Sequence, residues 1–168
     1  MTVQEFIDSL PKEEQFQVAI HLAKKCLLIW NHYARESQLS YRDSVVGLSH
    51  TVDQQLLQNT IEMVEEYLRL NDSAKLLDGK KKLLEIRGRF EDPTVALQDT
   101  DWELPDQVQK VFYAVYNLIE AALGKDRTVF GELTIYVSIN QAVDALESSN
   151  TLTIDQIKSI LQETKNTR

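Results

Sequence analysis

Hydrophobic positions in this chain return every three or four residues from end to end, with few turn residues between, which is the pattern of packed helices. Over residues 11–37, Phe16, Ala19, Ile20, Ala23, Cys26, Leu27, Trp30 and Ala34 line one face of a long helix. Gln17, His21, Lys24, Lys25, His32 and Arg35 take the opposite face, so the histidines are read as lying off the core. Pro11 suits a first helical position. Residues 2–9 fit a short leading helix.

The next unit, residues 40–70, keeps helical spacing through Tyr41, Val45, Leu48, Val52, Leu56, Leu57, Ile61, Val64 and Leu68. Gly47 and the Ser49-His50-Thr51 stretch are weak helix formers. The expectation is a short helix at 41–48 and a longer one at 52–70, with a single kinked helix as the alternative. A third helix follows over 71–90, capped by Asp72 or Ser73, with Leu76, Leu77, Leu83, Leu84 and Ile86 on its apolar side. Residues 91–104 lose the period, contain Pro93 and read as an irregular segment. Pro105 opens a strong helix with Val108, Val111, Phe112, Val115, Leu118, Ile119 and Ala122 inward and Gly124 at its C′ position. Residues 128–137 are rich in β-branched and aromatic side chains, but Ile135, Ile139, Ala142, Val143 and Leu146 favour a helix from Leu133 to Ser148. Thr153 and Gln156 form a capping box ahead of Ile154, Ile157, Ile160 and Leu161.

Composition sharpens this picture. A chain of 168 residues with 43% hydrophobic residues makes one domain with a real core. Five glycines and three prolines are too few for a sandwich or barrel. The predicted fold is all-α, an irregular bundle of five to seven helices in one domain, residues 1–168. Cys26 is the one cysteine, which rules out an internal disulfide or a multi-cysteine zinc site. The sequence lacks a signal core or an apolar run near the ~20 residues of a membrane span, so it reads as soluble and cytoplasmic.

Net charge is −8, which disfavours a nucleic-acid partner, since phosphate backbones are met by clustered Lys and Arg. The charge is segregated. Residues 75–90 hold six Lys or Arg against two acids, and residues 91–106 hold six acids and no base. A basic block therefore abuts an acidic one, as either two solvated surfaces or one two-signed docking surface.

A search for chemistry finds little. Five scattered glycines make neither a P-loop nor a dinucleotide turn. His21 and His32 lie three turns apart, ~16 Å at ~1.5 Å per residue, too far for one metal. His50 and Asp53 form at most half a site, and Glu62, Glu65 and Glu66 read as a solvated face. Ser44 lies near Asp43 and His50 but outside any nucleophile elbow. Cys26 on an apolar face is an inert hydrophobe. No cofactor, metal site or catalytic residue is assigned. Tyr33, Tyr41, Tyr113, Tyr116, Tyr136 and Trp102 pair a rigid apolar body with a polar tip, which suits binding surfaces.

Residues 10–33 (LPKEEQFQVAIHLAKKCLLIWNHY) resemble the start of the YjaG-like domain, an uncharacterised helical family of bacteria. The shared features are the leading Leu, the Gln-Phe pair, the Ala-containing helix and the closing Asn-x-Tyr. The resemblance covers the first fifth of the chain and implies an all-α fold without a known activity. In size, acidity and helix content the chain is also similar to immunity proteins that neutralise toxins of interbacterial competition.

These readings converge on a non-catalytic protein-binding domain, with a basic toxin as one candidate partner. Asp99, Asp101, Trp102 and Glu103 are the expected partner-binding residues, the acids steering encounter and Trp102 anchoring. The competing expectation for Trp102 is a buried pin beneath its segment. Tyr113, about 140° off its helix's apolar stripe, joins the binding set or marks a homo-oligomeric seam. A small enzyme or a metal-binding bundle remains the alternative from another class.

Overall fold

Local chemistry sets the helix ends. In the computed structural model, which describes residues 1–146 and 152–167, Thr2 and Glu5 cap α1 (Val3–Ser9) reciprocally, each side chain accepting from the other's backbone N–H. Pro11 precedes α2 (Lys12–Glu36). After α3 (Leu56–Leu68), the Asp72 carboxylate accepts from the N–H groups of Ala74 and Lys75 and opens α4 (Ser73–Gln98). α5 (Asp106–Ala122) ends as its glycine predicts. Gly124 takes φ +97°, its N–H donates to Ala121 O, and Lys125 N–H donates to Glu120 O. α6 (Thr134–Leu146) begins where periodicity placed it, and its predicted end at Ser148 lies outside the described residues. The Thr153–Gln156 box opens α7 (Ile154–Asn166).

The chain is an all-α bundle with α5 at its centre, packed against α2, α3, α4 and α6. α5 buries Val111, Phe112, Ala114, Val115, Leu118 and Ile119 completely. α2 contributes Val18, Ala19, Leu22, Ala23, Cys26 and Trp30. Each large side chain so buried stabilises the fold by ~1.5–3 kcal/mol before entropy is counted. Where α2, α4 and α5 meet, aromatic rings fill the space. Trp30 and Phe112 lie 6.1 Å apart between centroids, and Phe90 lies 5.1 Å from Phe112. Arg87 of α4 ties to Glu120 of α5 at 2.5 Å, with Lys125 at 3.6 Å on the other carboxylate oxygen. Among the described residues no helix is long and apolar enough to cross a membrane.

Three expectations are corrected. Residues 41–48 are not helical. β1 (Ser40–Arg42) and β2 (Ser49–Thr51) pair antiparallel, with Tyr41 opposite His50. The Asp43 carboxylate accepts from the N–H groups of Val45 and Val46, and Gly47 takes φ +74°. That turn competes with a helix for the same backbone groups.

The segment 91–104 is not one irregular stretch. α4 continues through Pro93 to Gln98. A proline inside a helix costs ~3 kcal/mol, but Phe90, Pro93 and Ala96 share the buried face, and their burial offsets it. The apolar side of α4 is also divided. Leu83 and Ile86 are buried, whereas Leu77 is 73% exposed and Leu84 46%.

Finally, the polar face of α2 is not wholly solvated. α7 packs on α2 and half-buries His21, while His32 stays exposed beside Glu36.

Trp30→Ala and Phe112→Ala should each cost ~3–5 kcal/mol in urea unfolding. Leu28→Ala, on α2 but 74% exposed, should stay within ~0.5 kcal/mol. Equal losses at all three positions would contradict the orientation of α2.

Candidate functional site

The acidic segment is short and well tied. Asp99 ends α4, donating its N–H to Val95 O. Thr100 adopts φ +63°, a left-handed conformation costly for a β-branched residue. This bend lets the N–H groups of Asp101 and Trp102 both reach Ala96 O, at 3.0 and 3.3 Å. The chain then turns inward. Trp102 is 4% exposed and meets Trp30, Tyr41 and Phe112 at centroid distances of 6.3, 5.9 and 5.5 Å.

Trp102 is therefore a core pin, and its indole is not available to anchor a partner. Asp99 and Glu103 are exposed and Asp101 is half-exposed. The three acids expected at the surface do share one short stretch.

Beside them lies an element that periodicity missed. Arg42 N–H donates to Asp101 O at 3.2 Å, which joins β1 to the acidic segment. The hairpin carries Val45, Val46 and Leu48 at its tip, exposed by 91%, 66% and 59%. The tip is braced. Asp43 N–H donates to Leu48 O and Gly47 N–H to Asp43 O, both at 2.8 Å, and Arg42 Nε donates to Gly47 O. The two backbone N–H groups on its carboxylate hold Asp43 below the ordinary aspartate range. Below the tip, His50 stacks on buried Tyr41 at 5.2 Å, with Nε2 4.0 Å from Asp43 Oδ2. Burial raises the Tyr41 hydroxyl pKa, and the nearby Asp92 and Asp43 carboxylates add to the shift. The sequence did hold a signal for this turn, an aspartate at its first position and a glycine near its end.

Other candidates are dispersed. Tyr113 is half-buried, its ring edge-on to Phe112 at 5.7 Å, and burial raises its pKa. Its helix is the centre of the bundle, and Tyr113 remains partly exposed on it. The Asp53 carboxylate accepts from Gln55 N–H, while the acid beside His50 is Asp43. Glu65 pairs with Lys24 at 2.7 Å and with Arg69, and Glu62 accepts from Gln58. Ser44 is exposed in the turn. Cys26 is fully buried, and burial pushes its thiol up to about 12. Among the described residues no three His, Cys, Asp or Glu side chains gather as a metal site. Comparison with protein-family models, curated proteins and solved structures finds no match to the chain.

Two predictions follow from these placements. Trp102→Ala should lower stability by ~3–5 kcal/mol, like a core truncation. A loss below about 1 kcal/mol in calorimetry would return Trp102 to the surface.

His21 gives a pH effect. Burial lowers its pKa, Lys25 and Lys24 push it the same way, and Glu163 of α7 opposes them. The folded state then binds the proton less readily than the unfolded chain does. Stability should fall as pH drops below ~6.5. Melting temperatures between about pH 7 and pH 5 should converge for wild type and His21→Gln at the upper end and part at the lower. Parallel curves would show that His21 is not the group responsible.

Proposed function

We propose that this chain is a non-catalytic protein-binding domain whose docking face joins the hairpin tip to the acidic segment. The observation that carries this reading is the pairing of exposed Val45, Val46 and Leu48 with the carboxylates of Asp99, Asp101 and Glu103 across the Arg42–Asp101 hydrogen bond. Large apolar side chains held outward on a braced turn gain nothing in the isolated molecule. They become favourable when an apolar pocket covers them. A rigid turn also loses little entropy on docking. The matching partner has an apolar pocket with a basic rim, and a basic toxin of the kind that immunity proteins neutralise is one candidate. The anchor is the hairpin tip, and the acids set the encounter rate.

The test is a kinetic comparison on a partner captured by the wild-type chain. Asp99→Asn/Asp101→Asn/Glu103→Gln should slow association and flatten its salt dependence. Val45→Ser/Val46→Ser should leave association nearly unchanged and raise the dissociation rate ~10-fold or more, as loss of a hot spot does. Unchanged rates in both variants would place the docking face elsewhere.

A further inference from the structure

The outward face of α4 has no partner in the monomer, and its pattern is specific. Leu77, Leu84, Gly88 and Val95 fall within ~40° of one another on the helix, opposite the buried stripe of Leu83, Ile86, Phe90 and Pro93. All four are exposed, Val95 by 53%, and nothing lies within 4 Å of where a Gly88 side chain would start. Lys80 and Lys81 flank this stripe between the two leucines. Glu91 and Asp92 flank it between the glycine and the valine, and all four charged residues are exposed.

This face reads the same from either end. About a centre at Ile86, Leu77 mirrors Val95, Leu84 mirrors Gly88, and the two lysines mirror the two acids with charge reversed. A two-fold axis through that centre lays one α4 antiparallel on another. Leu84 then enters the space over the partner's Gly88, and Leu77 meets Val95. Lys80 and Glu91 lie on one flank, Lys81 and Asp92 on the other. An antiparallel two-fold pair brings like flanks together, so each lysine faces an acid of the opposite chain.

We propose that two copies of this chain associate through an antiparallel α4–α4 contact centred at Ile86. The inference is independent of the hairpin reading.

Sedimentation equilibrium from micromolar to near-millimolar concentration tests it. The wild type should show a reversible dimer. Lys80→Glu/Lys81→Glu and Glu91→Lys/Asp92→Lys should each raise the dissociation constant by about tenfold or more. Mixed together, these two variants should form a heterodimer, because every cross-chain pair becomes complementary again. The fourfold variant carrying both reversals should self-associate like the wild type. All four substituted positions are exposed in the monomer, and unchanged helix content by circular dichroism checks the fold. A wild type that stays monomeric throughout overturns the proposal. A dimer indifferent to the charge reversals, or two weakened variants that fail to recover on mixing, overturns it as well.

Discussion

The contact on which the rest of the structure depends is the ring cluster of Trp30, Trp102 and Phe112. Trp102 sits edge-on to both partners, with interplanar angles of 86° and 87°. Three segments far apart in sequence meet there: α2, the bend after α4 and the middle of α5. Trp30 Nε1 donates to Gln54 O, which adds the segment leading into α3. Tyr41 packs on Trp102 and brings in the hairpin. Edge-to-face aromatic contacts add ~0.5–1.5 kcal/mol beyond area burial. The larger effect is geometric, since one indole fixes how four segments approach one another.

That cluster explains which parts of the fold were legible in the sequence. α2, α5 and α7 carry their own capping signals and continuous stripes, and their bounds fall within a residue or two of expectation. The hairpin was not legible as such. Tyr41, Val45, Leu48 and Val52 match helical spacing as well as they match a turn, and Tyr41 and Val52 are buried while Val45 and Leu48 are not. Periodicity cannot separate those cases. The Asp43 side chain and Gly47 can, because they satisfy and bend the turn backbone directly.

α4 failed for the opposite reason. Pro93 is a strong local stop signal, and tertiary burial of Phe90, Pro93 and Ala96 overrides it. Extending the helix also moved the charge boundary. The basic block and the first two acids, Glu91 and Asp92, share one helix, and Asp99, Asp101 and Glu103 follow in the bend after it. Of the basic block, Arg87 is drawn inward to Glu120 and is not part of the solvent field. Glu120 is 5% exposed, so this pair is partly desolvated and fixes the alignment of α4 on α5 more than it adds stability.

The candidate site was half legible. Clustered acids at Asp99, Asp101 and Glu103 were visible as composition. The fate of Trp102 was not, because one large aromatic among acids suits a surface anchor and a core pin equally. What decides it is the left-handed Thr100 and the shared acceptor Ala96 O, which turn the indole inward. Burying Trp102 in turn seats Tyr41 beneath the hairpin and leaves Val45, Val46 and Leu48 outside. The apolar surface that sequence reasoning assigned to the tryptophan thus belongs to the neighbouring turn. The outward leucines of α4 follow the same logic. Once Leu83, Ile86 and Phe90 face the bundle, helical geometry forces Leu77, Leu84 and Val95 to the far side. A helix apolar on two opposite faces satisfies only one of them within its own chain.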